Sequence, residues 1–362
     1  INHDWWHETI RLYAAQSDAT NIIRTALASS SVVCLKLALD CQEEALGVEP
    51  EVRQQLTNKL EAGLESNDPE TFKLAAEVKL ARRLSNLLRI DKELDIDTSY
   101  ITCAEYQLFL EETKATYKPK HWESNRFPTG YAKKIITGIS WENANQFCVW
   151  LKLWSEAQGL SNQISGLVTH YRLQTKNEIE QYEIDNEKSF LESGIRLVKF
   201  QLPSRYSQLV HYLWSGKWQE ADEETTNIML QVARRKRQGY LDVKDIENFP
   251  CEDLLIIDQL WVYASKGRFG FSVQKKIFQS LSVTRKSIDK TWDDFTNCVG
   301  WSKKDRLVYY DELTFNCESA SDGHLPYKHI APNGHPVYFH GRSVDVINKF
   351  TSFMQRLVDC NI

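Results

Sequence analysis

Apolar residues recur at helical spacing along most of the chain. In the first hundred residues they lie within stretches rich in Ala, Leu, Glu, Lys and Arg, such as TFKLAAEVKLARRLSNLLRI, where Phe72, Ala75 and Leu80 lie near one helical face. The break SNDPET separates two such stretches, since Pro69 suits the first turn of a new helix. The pattern predicts successive amphipathic helices over residues 5–95.

The sequence pattern changes over residues 97–183. These residues are rich in turn-forming and aromatic types and contain short β-like pieces such as KKIITGIS. One helical stripe within them predicts buried positions of a single helix: Trp141, Cys148, Trp150 and Trp154. We therefore expect a helical segment over 1–96 and a small mixed α/β module over 97–200.

Helical spacing returns after residue 203. One set of apolar positions predicts two helices joined by the tight turn SGKW: Leu209, Leu213, Ala221, Thr225, Ile228 and Val232. Another set predicts a third main helix: Leu254, Ile257 and Trp261. Gly267 is expected to end that helix with a positive φ, and Ser272 to cap the next helix.

A last apolar stripe beyond Gly341 predicts a helix that packs back on a neighbouring domain: Val344, Ile347, Phe350, Met354 and Leu357. The fold class is therefore predicted to be mainly α. After the two N-terminal parts we expect a helical domain over 201–330 and a C-terminal loop and helix over 331–362.

Bulk composition excludes several classes of partner. With 42% hydrophobic residues, 26% charged residues and a net charge of −5, the chain has no strong bias toward nucleic acid or anionic membrane. No apolar run approaches the roughly 20 residues of a membrane span, and the opening INHDWWHETI lacks the layout of a signal peptide. We predict a cytoplasmic protein without a nucleic-acid partner. The first residue, Ile1, favours a piece of a longer polypeptide.

Metal, disulfide and acid–base chemistry are not indicated either. The eight cysteines are scattered without a CxxC pair, which favours reduced, mostly buried thiols. Asp253 and Asp258 are better explained as capping or surface residues than as a catalytic pair. Four histidines lack cysteine or acidic partners at metal-ligand spacing and are interpreted as loop residues: His324, His329, His335 and His340.

Two N-terminal stretches resemble known families. WWHETIRLYAAQSDATNIIRTAL resembles the segment after the nucleotide-binding and winged-helix parts of STAND-type (NACHT-like) ATPases, which implies an upstream ATPase domain. No Walker A motif occurs in the chain itself. ITCAEYQLFLEET, GISWENANQFCVWL and YRLQTKNEIEQY resemble the first half of the formylglycine-generating-enzyme family, but Gln174 and Ile179 replace its proline and tryptophan. The catalytic second half has no counterpart, which implies a truncated, non-catalytic module.

Residues 203–327 carry the most specific resemblance. LVHYLWSGKWQEADEETTNIMLQVA, GYLDVKDIENFPCEDLLIIDQLWVYASKGRFGFSVQKKIF, FTNCVGW and LTFNCESASDGHLP resemble the "genomes uncoupled" family of tetrapyrrole-binding proteins. That family binds protoporphyrin IX and Mg-protoporphyrin IX and stimulates magnesium chelatase in chlorophyll synthesis. The resemblance implies an all-helical, porphyrin-binding-type domain with a cupped apolar surface. Ser302 and the insertion-like SVTRKSIDKTWDD depart from the family pattern.

A porphyrin is an apolar disc with two carboxylates, so its site needs aromatic walls and a few cations at the rim. Candidate walls are Phe249, Phe271, Trp301 and Phe315, and candidate propionate partners are Arg234, Arg268 and Arg306. For each phenylalanine a plain core position is at least as good an interpretation. Trp301, which follows Gly300 in a loop, is the stronger candidate.

The leading hypothesis is a non-enzymatic tetrapyrrole-binding sensor or regulator. Its implied partners are the porphyrin itself and either a magnesium chelatase subunit or an upstream ATPase domain. One alternative is a protein-interaction scaffold whose porphyrin site has been lost. Another is an oxidising enzyme of the formylglycine type.

Overall fold

The computed structural model forms two compact units, Ile1–Leu202 and Pro203–Ile362. It is mostly helical, as the hydrophobic pattern predicts. Within the described residues, every helix is too short or too polar to cross a bilayer. The structure describes residues 4–29, 31–92, 94–160, 166–182, 194–282, 288–303, 306–330 and 344–362.

The first unit begins with five helices. Pro69 begins the fifth, as expected, and Asp68 caps it by accepting the amide of Thr71 at 2.9 Å. Phe72 and Leu80 of that helix are fully buried, so the predicted stripe is its core face. The helices are α1 (Asp4–Ala14), α2 (Thr20–Leu27), α3 (Val32–Glu44), α4 (Pro50–Glu65) and α5 (Pro69–Ser85).

A four-stranded sheet and three further helices complete the first unit. The strand order is β1-β2-β4-β3, and β2 runs antiparallel to both β1 and β4. Cys148, Trp150 and Trp154 are buried on one helix, α7, as predicted, whereas Trp141, its first residue, is only partly buried. In chain order the elements are β1 (Leu88–Arg89), β2 (Leu94–Ile96), α6 (Cys103–Thr113), α7 (Trp141–Ala157), β3 (Leu167–Leu173), α8 (Lys176–Gln181) and β4 (Leu197–Pro203).

A buried ion cluster connects α5 to the segment that leads into α6. The Arg83 guanidinium donates to Asp97 at 2.8 Å, to Glu105 at 2.7 Å and to the carbonyl oxygens of Ser99 and Tyr100. Burial disfavours its charge, but Glu105 and Asp97 outweigh burial and raise the pKa of Arg83. The guanidinium thereby joins α5 to four residues of the segment 97–105, which fixes the two segments together.

The second unit contains the helices predicted from the pattern, with SGKW as the turn between the first two. A pair of two-residue antiparallel strands, β5 (Ser302–Lys303) and β6 (Arg306–Leu307), lies within it. The prediction of a domain made of helices alone therefore misses this small strand pair. The helices are α9 (Ser207–Trp214), α10 (Trp218–Val232), α11 (Val243–Glu247), α12 (Cys251–Ala264), α13 (Phe271–Ser282), α14 (Ile288–Cys298) and α15 (Val344–Asp359).

The link between α12 and α13, in the stretch GRFGFSVQ, depends on two glycines. Gly267 has the predicted positive φ, +83°, and its N–H donates to the Val262 carbonyl oxygen at 2.8 Å. A β-carbon at Gly270 would lie 2.9 Å from Asp258 Oδ1. The expectation that Ser272 caps α13 is wrong, because Asp258 of α12 accepts the Ser272 amide at 2.8 Å and satisfies that first turn.

The prediction that all eight cysteines are reduced is also wrong. Cys251, the first residue of α12, forms a disulfide with Cys360, which directly follows α15. The pairing joins positions 109 residues apart, a loop for which chain entropy predicts a contribution of about 4–5 kcal/mol. The sequence missed it because spacing along the chain does not report which helix ends meet in space.

We predict that Arg83→Ala lowers the free energy of unfolding of the first unit by about 3–5 kcal/mol, because two buried carboxylates lose their counter-ion. Arg82→Ala is the matched control, since its side chain is 29% exposed and pairs with the exposed Glu43. The control is expected to cost less than about 1 kcal/mol. Urea unfolding of both variants measures the difference, and equal losses would contradict the role given to the cluster.

Candidate functional site

Aromatic rings from α13, α14, α15 and the segment before residue 330 form two groups in the second unit, one around Phe353 and one around Phe350, which both belong to α15. Nearest ring centroids within this set are 4.7 to 6.4 Å apart, mostly tilted or edge to face, as aromatic pairs prefer. All but one of them are buried. We call this set the ring cluster: Phe271, Phe278, Trp292, Phe295, Trp301, Tyr310, Tyr327, His329, Phe350 and Phe353.

Trp301 lies fully buried in the ring cluster. Its indole N–H donates to the His324 carbonyl oxygen at 2.7 Å, and its ring lies 5.0 Å from Tyr327 and 5.4 Å from Phe295. Gly300, immediately before it, has a φ of +76°, a backbone conformation that favours glycine. The residue singled out from sequence as a pocket wall is therefore a core residue in this conformation.

Helix α15 contacts three of the predicted wall residues, two of them through their rings and Phe249 through its backbone. All three are essentially inaccessible to solvent, so a ligand can contact their faces only if a neighbouring element moves. Each contact joins one residue of α15 to one of them: Phe350 to Trp301 (6.0 Å between ring centroids), Phe353 to Phe271 (4.9 Å) and Arg356 to the carbonyl oxygen of Phe249 (2.7 Å).

The fourth predicted wall residue, Phe315, is only half-buried. Its ring lies 5.2 Å from Tyr310, which lies 6.4 Å from Tyr327, which in turn lies 5.0 Å from Trp301. Phe315 and Trp301 are thus the two ends of one row of rings. This row leads from the surface into the buried part of the ring cluster.

The three predicted cations have different surroundings. Arg268 donates to Asp322 and to the carbonyl oxygens of Cys317 and Ala320, so it supports the backbone of its own neighbourhood. Arg306 donates through both terminal nitrogens to Glu312, at 2.7 and 2.6 Å, yet its side chain remains 42% exposed. The exposed Arg234 follows the end of α10 with a φ of +59°.

The structure does not gather these seven residues into one open cup. Phe271 packs on Phe353 and Trp301 on Phe350, in the two groups of the ring cluster, and Phe315 and Arg306 lie in the segment 302–315. Arg268 instead contacts the segment 317–322, and Arg234 lies just after the end of α10. Accessible apolar surface in segment 302–315 includes Tyr309, whose side chain is 39% exposed and lies 5.3 Å from the Arg306 guanidinium.

Sequence reasoning did not single out Asp222 of α10, which is wholly buried beside the ring cluster. Its carboxylate accepts the backbone amides of Tyr327 at 2.7 Å and Lys328 at 3.1 Å. Burial raises its pKa to about 6, although these donors and the Tyr310 hydroxyl oppose the shift. The only sequence signal is its spacing of three from the buried Thr225, which the acidic run EADEE conceals.

The two described tail histidines are both neutral core residues. His324 uses both ring nitrogens, with Nδ1 2.6 Å from the Val299 carbonyl oxygen and Nε2 accepting the Thr314 amide at 3.1 Å. Neither nitrogen of His329 has a hydrogen-bond partner among the described residues, and burial lowers its pKa to about 3. Among all the residues that the structure describes, no His, Cys, Asp or Glu cluster fits a metal ion. His335 and His340 lie outside the described residues.

We predict that Asp222→Asn changes the pH dependence of stability. Because the folded pKa, about 6, lies above the ordinary value of 3.8, wild type retains this group's contribution below pH 3.8 and loses it as pH rises through 6. Relative to the variant, wild type should lose about 3 kcal/mol across that window. Denaturant unfolding of both proteins at pH 4 to 7 tests this, and parallel profiles would refute it.

We also predict that Trp301→Phe lowers the free energy of unfolding by about 1–3 kcal/mol, because the buried His324 carbonyl oxygen loses its donor. Trp218→Phe is the control, since Trp218 is half-buried and no hydrogen bond of its indole is found among the described residues. Thermal or urea unfolding should show a clearly smaller effect for the control. Trp301→Phe keeps an aromatic ring at position 301, which limits the loss of packing in the ring cluster.

Comparison with known proteins identifies the second unit. Residues 200–335 match the GUN4-like family. The uncharacterized protein ycf53 of Porphyra purpurea is 32% identical over 171 residues, which cover 46% of this chain and 67% of that protein. The tetrapyrrole-binding protein, chloroplastic, of Arabidopsis thaliana is 30% identical over 128 residues, which cover 33% of this chain and 47% of that protein.

Among solved structures, ligand-free GUN4 of Arabidopsis thaliana is 25% identical, with a TM-score of 0.32, and the match covers 43% of this chain and 91% of that one. The range matched to the family includes residues 203–327, on which the sequence resemblance to tetrapyrrole-binding proteins rests. That resemblance is confirmed, whereas those of the two N-terminal parts stay predictions. The chain therefore belongs to the GUN4-like family.

Proposed function

We propose that the second unit binds a tetrapyrrole and that the chain is a non-catalytic regulator or sensor. The observation that carries this proposal is the match of residues 200–335 to the GUN4-like family, which includes a relative named as a tetrapyrrole-binding protein. The physical requirements of such a ligand are large aromatic faces and cations at their edge. Segment 302–315 supplies aromatic faces, such as Phe315, and a cation, Arg306, and the ring cluster supplies further aromatic faces.

The ligand would first meet segment 302–315. Tyr309 and Phe315 offer accessible ring surface, and the exposed Arg306 offers a positive charge at the edge. Glu312 already accepts two hydrogen bonds from Arg306, so a propionate would compete with this carboxylate for the guanidinium. Competition with an exposed ion pair costs little, because such a pair contributes about 0–1 kcal/mol.

The other candidates take secondary roles in this proposal. Phe271, Trp301 and Phe249 form deeper walls that come into contact with ligand only when their covering elements move. Arg268 supports the segment around Ala320, and Arg234 remains an exposed cation available to a propionate. Ligand contact with the deep walls requires a second conformation that binds the pigment better than this one.

The finer parts of the proposal concern ligand and partners. Protoporphyrin IX and Mg-protoporphyrin IX are the proposed ligands, and a magnesium chelatase subunit or an upstream ATPase domain is the proposed partner. Residues 97–183, similar to a truncated formylglycine-generating enzyme, would act as a spacer or interaction surface in the cytoplasm. Regulation requires that the pigment bind two states unequally, which would change the affinity for the partner by the same factor.

One observation favours a second candidate function, an interaction scaffold whose porphyrin site is lost. Phe249, Phe271 and Trp301 are packed by the chain's own side chains, so three predicted walls have no free face. A scaffold of this kind would present the surface of the second unit to a protein partner. Ligand titration separates the two functions.

We predict that the full chain binds protoporphyrin IX and Mg-protoporphyrin IX saturably, which titration followed by tryptophan quenching measures. Arg306→Gln should weaken binding about three- to tenfold, because one charge-assisted contact to a propionate is lost. Arg205→Gln, which removes a comparably exposed arginine paired with Asp253, should leave affinity unchanged. The dimethyl ester of protoporphyrin should bind wild type and Arg306→Gln equally.

Non-saturable quenching with both pigments would instead support the scaffold. Equal losses from the Arg306 and Arg205 variants would remove Arg306 from the site while leaving pigment binding intact.

A further inference from the structure

The cysteine pair Cys251–Cys360 lies where a reductant can reach it. Both residues are partly exposed, whereas the four free cysteines of the first unit are buried. Thiol–disulfide exchange needs direct access of a thiolate to a sulfur atom. A reducing protein can therefore reach this disulfide, which lies where α12 begins and α15 ends.

The disulfide attaches the C-terminal end of α15 covalently to the start of α12. Arg356 donates to the Phe249 carbonyl oxygen at 2.9 and 2.7 Å, and Lys275 donates to the carbonyl oxygen of Ile362. The apolar face of α15 is buried, with Phe350 and Leu357 at 1% and 0% exposure. These non-covalent contacts can open transiently, but the disulfide prevents this end of the helix from separating from α12.

The same helix covers the ring cluster. Phe350 lies 4.7 Å from Phe295 and 6.0 Å from Trp301, and Phe353 lies 4.9 Å from Phe271. A movement of α15 away from α12 would therefore uncover the parts of the Trp301 and Phe271 rings that Phe350 and Phe353 cover. Because the bond ties α15 at one end only, its removal changes how often the helix opens and leaves the buried contacts themselves in place.

We propose that Cys251–Cys360 is a thiol–disulfide modification site, reduced by a protein dithiol, whose redox state controls how readily the ring cluster opens. The oxidised pair keeps α15 closed over Trp301 and Phe271. The reduced pair lets the C-terminal end of α15 separate from α12. The effect of the redox state on pigment binding rests on the proposed function.

The chemistry balances with the dithiol as reductant. One thiolate of the dithiol attacks one sulfur of the pair, the Cys251–Cys360 bond breaks, and the other cysteine leaves as a thiolate that takes up a proton. The second thiol of the reductant then attacks the mixed disulfide and releases the remaining cysteine. Two electrons and two protons pass to the pair, and the reductant leaves as its own disulfide.

Opening of the ring cluster sets the apparent affinity for a pigment that uses Trp301 and Phe271. The apparent dissociation constant equals the intrinsic one divided by the fraction of molecules in the competent state. Reduction raises that fraction, so the reduced chain binds the pigment more tightly. The oxidised chain retains only the contacts available on segment 302–315.

Amide hydrogen exchange of the ligand-free full chain tests the switch directly. Peptides from residues 346–359 should exchange about tenfold faster after reduction by a dithiol, because local opening of α15 becomes more frequent. Cys360→Ser should show the fast rate with and without reductant. Cys298→Ser, which removes an exposed free thiol and keeps the disulfide, should respond to reduction as wild type does.

The same samples are then titrated with protoporphyrin IX, and the reduced chain should bind about fivefold or more tightly than the oxidised chain. Exchange that is equal in the two redox states overturns the inference, and so does saturable binding of equal affinity in both. If exchange responds while no pigment binds in either state, the proposed function fails and redox control of the ring cluster stands. Reduction of wild type decides the matter even if Cys360→Ser does not fold.

Discussion

The packing of α15 on the ring cluster is the contact on which the second unit depends. Phe350 alone contacts rings from α13, α14 and the segment after it, within 4.7 to 6.0 Å. Burial of an aromatic side chain of this size contributes about 1.5–3 kcal/mol, and edge-to-face geometry adds to it. Without this helix Trp301 would lose its contact with Phe350, and Phe271 its contact with Phe353.

The two units use opposite physical means to join distant segments. In the first, a desolvated guanidinium satisfies the carboxylates of Asp97 and Glu105, and each charge depends on the others. In the second, rings and one disulfide join α15 to the helices before it. Asp222 is a buried polar group in that unit, and two backbone amides satisfy its carboxylate.

Much of the helical architecture could be predicted because each helix carries its own periodic stripe. Leu254, Ile257 and Trp261 are all buried on α12, as their spacing indicates, and Gly267 has the positive φ expected at the end of that helix. Periodicity reports which face of a helix is buried and does not report what covers it. The position of Trp301 after Gly300 in a loop predicts a pocket wall for the same lack of tertiary information, whereas α15, which follows later in the chain, packs against it.

The candidate site was less predictable than the fold for the same reason. The burial of Asp222 and the pairing of Cys251 with Cys360 both arise from contacts more than a hundred positions apart, which leave no local pattern. Residue type alone suggested three arginines as propionate partners. Only the tertiary contacts separate Arg268, which binds three groups of the segment 317–322, from the more accessible Arg306.

The long separation between contacting residues also has a kinetic consequence. Asp222 meets Tyr327 across 105 positions, and Phe249 meets Arg356 across 107. The entropy of closing such long loops is lost before these contacts form. Folding is therefore slower than in helical bundles whose contacting residues are close in sequence. On a ribosome the second unit therefore cannot complete its interior until α15 has left the exit tunnel, and the nascent chain needs protection from aggregation until then.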